Sequence, residues 1–225
     1  MLVITDDYDM VYPLTVDQSL QIISATSDDP MRENLQNAFL FHDKIVATSG
    51  HILVEITLAD SSYQEQLYDL LRKGPVVLPR EVLKHVSKTP TKRQPLFAIW
   101  YDQGKLHIQN SRGKVLDFDV IRPEGISRSV VRNIGRILDD LHYALEKRAP
   151  KSVQEMRFDV RLLKKLAEAI GKQGVLVEPY ETKETGLIYH VKAIDFFTES
   201  GSCVDEVDGW LMPILPVDFE TEEES

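Results

Sequence analysis

Six histidines, His42, His51, His85, His107, His142 and His190, are the residues best suited to acid–base or metal chemistry, and they are scattered along the chain. None falls in an HExxH helix, and the sequence carries no nucleophile elbow and no phosphate-cradling glycine loop. His42-Asp43 with His51 could form an acid–base pair, but a histidine beside a turn is more often structural. Cys203 is the sole cysteine, so it makes no internal disulfide and has no partner for zinc. These observations predict a protein that is not an enzyme and that needs neither cofactor nor metal. The spacings that remain are those of binding: cations four residues apart on helices, a glycine-kinked hairpin, and an apolar ribbon able to line a groove.

The cations form three sets. Arg80, Lys84 and Lys88 recur every four residues on a segment whose Val82, Leu83 and Val86 make the opposite face. Arg128, Arg132 and Arg136 do the same on a long helix, and Arg161, Lys164 and Lys165 cluster on a third. Taken singly, each stripe reads as a solvated helix face. Taken together on units whose helices lie side by side, they would make a basic wall for phosphate backbone. Such a wall reads no bases, since it offers no Asn or Gln for bidentate contacts, and its binding is weak and salt-sensitive.

The elements that must hold these residues follow from periodicity and turn signals. A lead from Met1 to Met10 precedes an amphipathic helix expected over Val16 to Ala25, with Thr15 as its N-cap. Strands follow through Leu58, then a helix around Tyr63 to Leu71. Gly74-Pro75 opens strand Val76 to Leu78, helix Arg80 to Lys88, and strands Leu96 to Tyr101, Lys105 to Gln109 and Lys114 to Ile121. Beyond Arg122-Pro123-Glu124-Gly125 the longest helix runs from Ser127 to Lys147, with Val130, Val131, Ile134, Ile137, Leu138, Leu141 and Leu145 as its apolar face. LPREVLKHV at Leu78 then reappears as FDVRLLKKL at Phe158, followed by strands at Val175 to Tyr180, Gly186 to Lys192 and Trp210 to Leu215. This self-similarity marks a duplicated supersecondary unit, and Tyr12 to Leu58 has the same order.

Phe41 to Ile56, FHDKIVATSGHILVEI, places Ile45 and Ala47 opposite Lys44 and Val46. After the Ser49-Gly50 break, Ile52, Val54 and Ile56 alternate with Leu53, Glu55 and Thr57, giving a hairpin with a polar tip. Gly209 to Pro216, GWLMPILP, is an apolar strand with an internal proline, which suits an edge and can line a groove. These two stretches resemble the bacterial DNA sliding clamp, the beta subunit of DNA polymerase III, over its second and third domains. In that family a segment near ATDGHRLA and a terminal strand ending VMPM wall one pocket for short peptides of polymerases and other partners. The resemblance implies that Thr48, Gly50, His51 and Leu53 form one wall and Leu211, Met212, Pro213 and Ile214 the other, with Pro123 near the joint. VVLPREVLKHV from Val76 also resembles the clamp's strand-to-helix junction. Ser49 stands where the family has aspartate, Ile52 replaces an arginine, and about ten residues follow the strand that ends the family's chain. Trp210 reads equally as core or pocket.

The resemblance implies an α+β, DNA-clamp-like fold of repeated strand-helix-strand units with helices on one face of antiparallel sheets. It further implies a divergent or phage clamp that embraces duplex DNA non-specifically and tethers a polymerase as a homo-oligomeric processivity factor. Residues 1–122 would supply two repeat units, 123–216 an abbreviated second domain, and 217–225 an acidic disordered tail. Because the second domain has one unit rather than two, ring closure needs edges it does not plainly have. The alternative is a clamp-like module without a ring that recruits, or competes for, clamp-binding peptides, and mass in solution separates the two. The net charge of −10 speaks against a phosphate-binding protein, but Asp218, Glu220, Glu222, Glu223 and Glu224 concentrate much of it in the tail. No apolar run approaches the roughly 20 residues of a membrane span and the N-terminus lacks a signal-peptide pattern, so a cytoplasmic protein without membrane contact is expected.

Overall fold

The computed structural model describes residues 3–4, 10–11, 13–17, 21–58, 64–87, 96–147, 159–170, 175–183, 186–193 and 204–211. In chain order the strands are β1 (Val3–Ile4), β2 (Met10–Val11), β3 (Leu14–Asp17), β4 (Ala38–Leu40), β5 (Lys44–Thr48), β6 (Ile52–Leu58), β7 (Val76–Leu78), β8 (Leu96–Asp102), β9 (Lys105–Gln109), β10 (Val115–Asp119), β11 (Val175–Thr182), β12 (Gly186–Ala193) and β13 (Val204–Leu211). The helices are α1 (Glu65–Arg72), α2 (Arg80–Val86), α3 (Gly125–Lys147) and α4 (Val160–Ala169), with short 3-10 turns at Ile22–Ala25 and Pro30–Leu35.

Among the described residues all strand pairings are antiparallel. One sheet runs β10-β9-β8-β3, a larger one runs β11-β12-β13-β6-β5-β4-β7, and β1 pairs with β2. The larger sheet therefore draws strands from both sides of residue 122 and is continuous through the β13–β6 ladder, where Trp210 lies opposite Leu53 and Leu211 opposite Ile52. The fold is α+β with repeated strand-helix-strand units, as the sequence implied.

Period-two alternation divides the seven-stranded sheet into two unlike faces. Ile45, Ala47, Val54, Ile56, Tyr189, Val191, Val207 and Leu211 point to a core shared with the four-stranded sheet's Leu14, Val16, Phe97, Ile99, Leu106 and Ile108. Helices α1, α2 and α4 close that core through Leu67, Leu71, Val82, Leu83, Leu166 and Ala169. Helix α4 comes so near β13 that a Cβ on Gly209 would lie 2.9 Å from Leu166 Cδ1, which explains a glycine in mid-strand. The alternate residues Phe39, Val46, Leu53, Val77, Ile188 and Trp210 face the other way, and α3 covers them with Ile134, Leu138, Leu141 and Ala144. The helices of the repeats thus share one face, and α3 is added to the opposite one.

The expected helix over Val16 to Ala25 is corrected: its beginning is strand β3, paired with β8, and only Ile22–Ala25 turns as a 3-10 segment. Leu14, Thr15 and Val16 are all buried, so this is a run covered on both faces, which periodicity does not separate from a helix. Lys105–Gln109 falls as expected, whereas the last strand begins earlier, at Val204. Between β10 and α3 the chain is pinned by Arg122, whose guanidinium donates to the carbonyls of Leu70 (2.8 Å), Pro75 (3.1 Å) and Gly74 at the end of α1. Cationic donors at a helix C-terminus satisfy carbonyls left without intrahelical partners. Lys88, Met212, Pro213, Ile214, Cys203 and the tail 217–225 lie outside the described residues.

Candidate functional site

The β5–β6 hairpin carries the segment that sequence singled out. Thr48 spends its hydroxyl on the turn: it donates to the Ile52 carbonyl (2.7 Å) and accepts from the Gly50 N–H (3.0 Å). Gly50 sits at φ +89, where a side chain is strained, and a Cβ there would approach Arg32 Nη1 to 3.3 Å. Arg32 in turn reaches the Ser49 carbonyl (3.4 Å) and pairs with Asp29 (3.5 Å). The hairpin tip is thus shaped by its own hydrogen bonds and braced by the Pro30–Leu35 turn. His51 is exposed at its end.

A cavity of about 210 Å³ opens between this tip and α3. Thr48, Gly50, His51 and Leu53 line it, together with Ile52 and Leu35. The facing wall is α3, through Val130, Asn133, Ile134, Ile137 and Leu141, and the floor is Ile188 and Trp210. Two expected lining residues are placed elsewhere. Leu211 is fully buried in the shared core, because strand parity turns it to the opposite face from Trp210. Pro123 is buried ahead of α3 and does not line the cavity. The α3 wall was missed because an apolar helical stripe has the same pattern whether it is packed shut or left partly open. The signal that was available is the stripe's width: Val130 and Ile137 are only half-buried, while Ile134, Leu138 and Leu141 are buried.

Beneath the same helix lies a charged cluster on the strand face that Lys44 and Glu55 share with Val46 and Leu53. Glu55 on β6 is 2% exposed. It accepts from Lys44 Nζ on β5 (2.8 Å) and bonds His142 Nε2 on α3 (2.6 Å). Burial alone would raise the Glu55 carboxyl, but the bonds from His142 and Lys44 outweigh it and hold it below the usual carboxylate range. Its bond to Glu55 raises His142 above the ordinary histidine value, against partial burial. Asp208, opposite Glu55 on β13, binds the fully buried His190 (2.5 Å). The His190 ring stacks on Trp210 at 4.3 Å. The buried His190 Nδ1 and Trp210 Nε1 make no hydrogen bond. Among the described residues no group of three or more His, Cys, Asp or Glu could hold a metal, and no helix is long and apolar enough to cross a membrane.

The expected convergence of three cation stripes is corrected. Arg128, Arg132 and Arg136 are exposed on α3, across the sheet from α2 and α4, so they cannot share a wall with those helices. Arg80 and Lys165 do converge, but on a carboxylate: both bind Asp28, Arg80 at 2.8 Å. Lys165 first and Arg80 second hold Asp28 below the usual carboxylate range. Arg161 pairs with Asp159 at 2.7 Å and Lys164 with Glu168 at 3.9 Å. Lys84 is exposed.

No family model matches the chain, and no curated protein matches it either. Among solved structures it is similar to the DNA polymerase III subunit beta from Pseudomonas aeruginosa, with 14% identity over 90% of this chain and 66% of that one, at a TM-score of 0.49. The DNA polymerase sliding clamp from Bacillus subtilis has 10% identity over 95% of this chain and 74% of that one, at 0.47. The beta subunit from Thermotoga maritima has 12% identity over 93% and 68%, at 0.46.

Proposed function

We propose that the chain is a sliding-clamp-like processivity factor whose cavity between the β5–β6 tip and α3 takes a short apolar peptide of a polymerase or another partner. One observation carries this reading. Thr48, Gly50, His51 and Leu53, the residues matching the family's pocket motif, line a single apolar cavity with Trp210 of the paired last strand. Such a slot, mostly apolar with few polar handles, suits the side chains of an extended or helical peptide. Asn133 and His51 are the handles left at its rim, since the Thr48 hydroxyl is engaged in its own turn. On the opposite side the α2 and α4 cations, with Lys84 foremost, face duplex DNA without base readout, and protomers join by sheet edges into a homo-oligomer.

The test is fluorescence-anisotropy titration with a labelled clamp-binding peptide. Ile137→Asp places a charge on the α3 wall and is expected to weaken binding at least tenfold, about 1.4 kcal/mol. His51→Ala is expected to weaken it less. Equal affinities in wild type and Ile137→Asp reject the cavity as the peptide site.

A second reading has one observation in its favour: Arg80, Lys165, Arg161 and Lys164 are each already opposite a carboxylate. A clamp-like binding module that holds partner peptides without encircling DNA fits that pairing. Light-scattering mass and retention on a closed circular duplex separate the readings. A stable oligomer that is lost on linearising the circle supports the processivity factor, whereas a monomer that is not retained supports the module.

A further inference from the structure

Helix α3 is one whole wall of the cavity, and His142 links that helix to the sheet through the buried carboxylate of Glu55. The link lies next to the cavity on each element that bears it. Leu141, beside His142, lines the cavity, as does Leu53, two residues before Glu55 on the same strand face, and Trp210, two residues after Asp208. We propose that Lys44, Glu55 and His142 form a charge lock that holds α3 against the sheet, so that His142 is a positioning residue for the peptide cavity and discharging it widens the cavity. This rests on the reading of the cavity as a peptide site.

The lock is built from groups that have few alternatives. The Glu55 side chain is 3% exposed, against 22% for Lys44 and 40% for His142, so the carboxylate depends on these two partners for its charge. The charged groups facing His142 are Glu55 on β6, Lys44 on β5 and Asp208 on β13, the last held by His190 of β12. On its own helix Asp139 and Glu146 lie one turn away and are exposed. The cluster as a whole favours the protonated imidazole, through Glu55 first and Asp208 last, against burial and Lys44. The sign follows. The charged lock is complete at pH values below the raised His142 pKa and above the lowered Glu55 pKa. It is lost from the alkaline side as His142 gives up its proton.

The two tryptophans, Trp100 and Trp210, make a readout that needs no ligand. In a Trp100→Phe background, acrylamide quenching reports Trp210 alone, on the cavity floor and 1% exposed. Quenching is expected to rise between pH 6 and pH 9, to stay low throughout in His142→Lys, and to be high and flat in His142→Gln. His190 stacks on Trp210 and is present in every variant, so the same pH profile in the Trp100→Phe parent and in His142→Gln assigns the change to His190 and overturns the lock. A flat, low profile in the parent also overturns it. Should His142→Gln fail to fold, the parent against His142→Lys decides, since a lysine that does not suppress the pH response contradicts the proposal. In a second arm, affinity for the labelled clamp-binding peptide is expected to fall roughly five- to tenfold over the same range in wild type and not in His142→Lys. Peptide affinity that does not change with pH rejects the lock and leaves the peptide site standing. His142-dependent quenching without peptide binding at any pH rejects the peptide site and leaves the lock standing.

Discussion

The two faces of the seven-stranded sheet are built by different rules. On the shared-core face Ile45, Ala47, Val54, Ile56, Val207 and Leu211 meet α4 and the second sheet in one apolar layer. On the α3 face the same strands present Val46, Leu53 and Trp210, interrupted by Glu55, Asp208 and His190 and bordered by a cavity. A buried charge adds less to stability than a hydrophobic residue of its size would, so the α3 face holds the fold together less efficiently than the core face does. The core face joins the two sheets, and the α3 face carries the cavity proposed as the peptide site.

The largest effect should come from the core face. Leu166→Ala opens a cavity where α4 meets Gly209 and is expected to cost about 2–5 kcal/mol, read as a lowered denaturant midpoint with an unchanged slope. A loss below about 1 kcal/mol would mean that α4 is not part of that core. Glu55→Ala on the other face should cost less, about 2 kcal/mol near neutral pH, because Lys44 and His142 are both partly exposed and regain some hydration. Its cost should also depend on pH. The His142 pKa is raised in the folded chain, so its share is fully present below the ordinary histidine value of about 6.5 and disappears as pH rises through the folded value. The Glu55 pKa is lowered, so its share is present above the ordinary carboxylate range and disappears as pH falls through the folded value. In urea melts the stability difference between wild type and Glu55→Ala should therefore narrow as pH rises through the folded His142 value, with the Lys44 pair remaining, and again as it falls through the folded Glu55 value, and parallel curves would remove the coupling. The smallest effect belongs to the exposed α3 arginines: Arg128→Glu with Arg132→Glu should change stability by no more than about 0.5 kcal/mol. It should also leave duplex retention at low salt unchanged, whereas a strong loss of retention would put DNA on the α3 face and reverse the assignment of the two faces.

Alternation in Lys44 to Thr57 was legible because a strand's side-chain period is two, whatever covers it. The same parity could have placed Leu211 away from the cavity once Trp210 was set toward it. What alternation does not carry is the identity of the covering layer. Parity puts Lys44 and Glu55 on the face of Val46 and Leu53, and it is a helix 87 positions further along, at His142, that buries the carboxylate. For the same reason an arginine stripe on α3 says which side of that helix is wet and not which side of the sheet the helix occupies. Strand β3 was misread since residues buried on both faces lose the period that separates strand from helix.

Isoleucine δ-methyl labelling addresses both faces in one spectrum. The account predicts that, on titration with the clamp-binding peptide, the methyl signals of Ile134, Ile137 and Ile188 shift with saturation while those of Ile45, Ile56, Ile99 and Ile108 stay in place. Saturable shifts confined to the second group, or spread evenly over both, would contradict it.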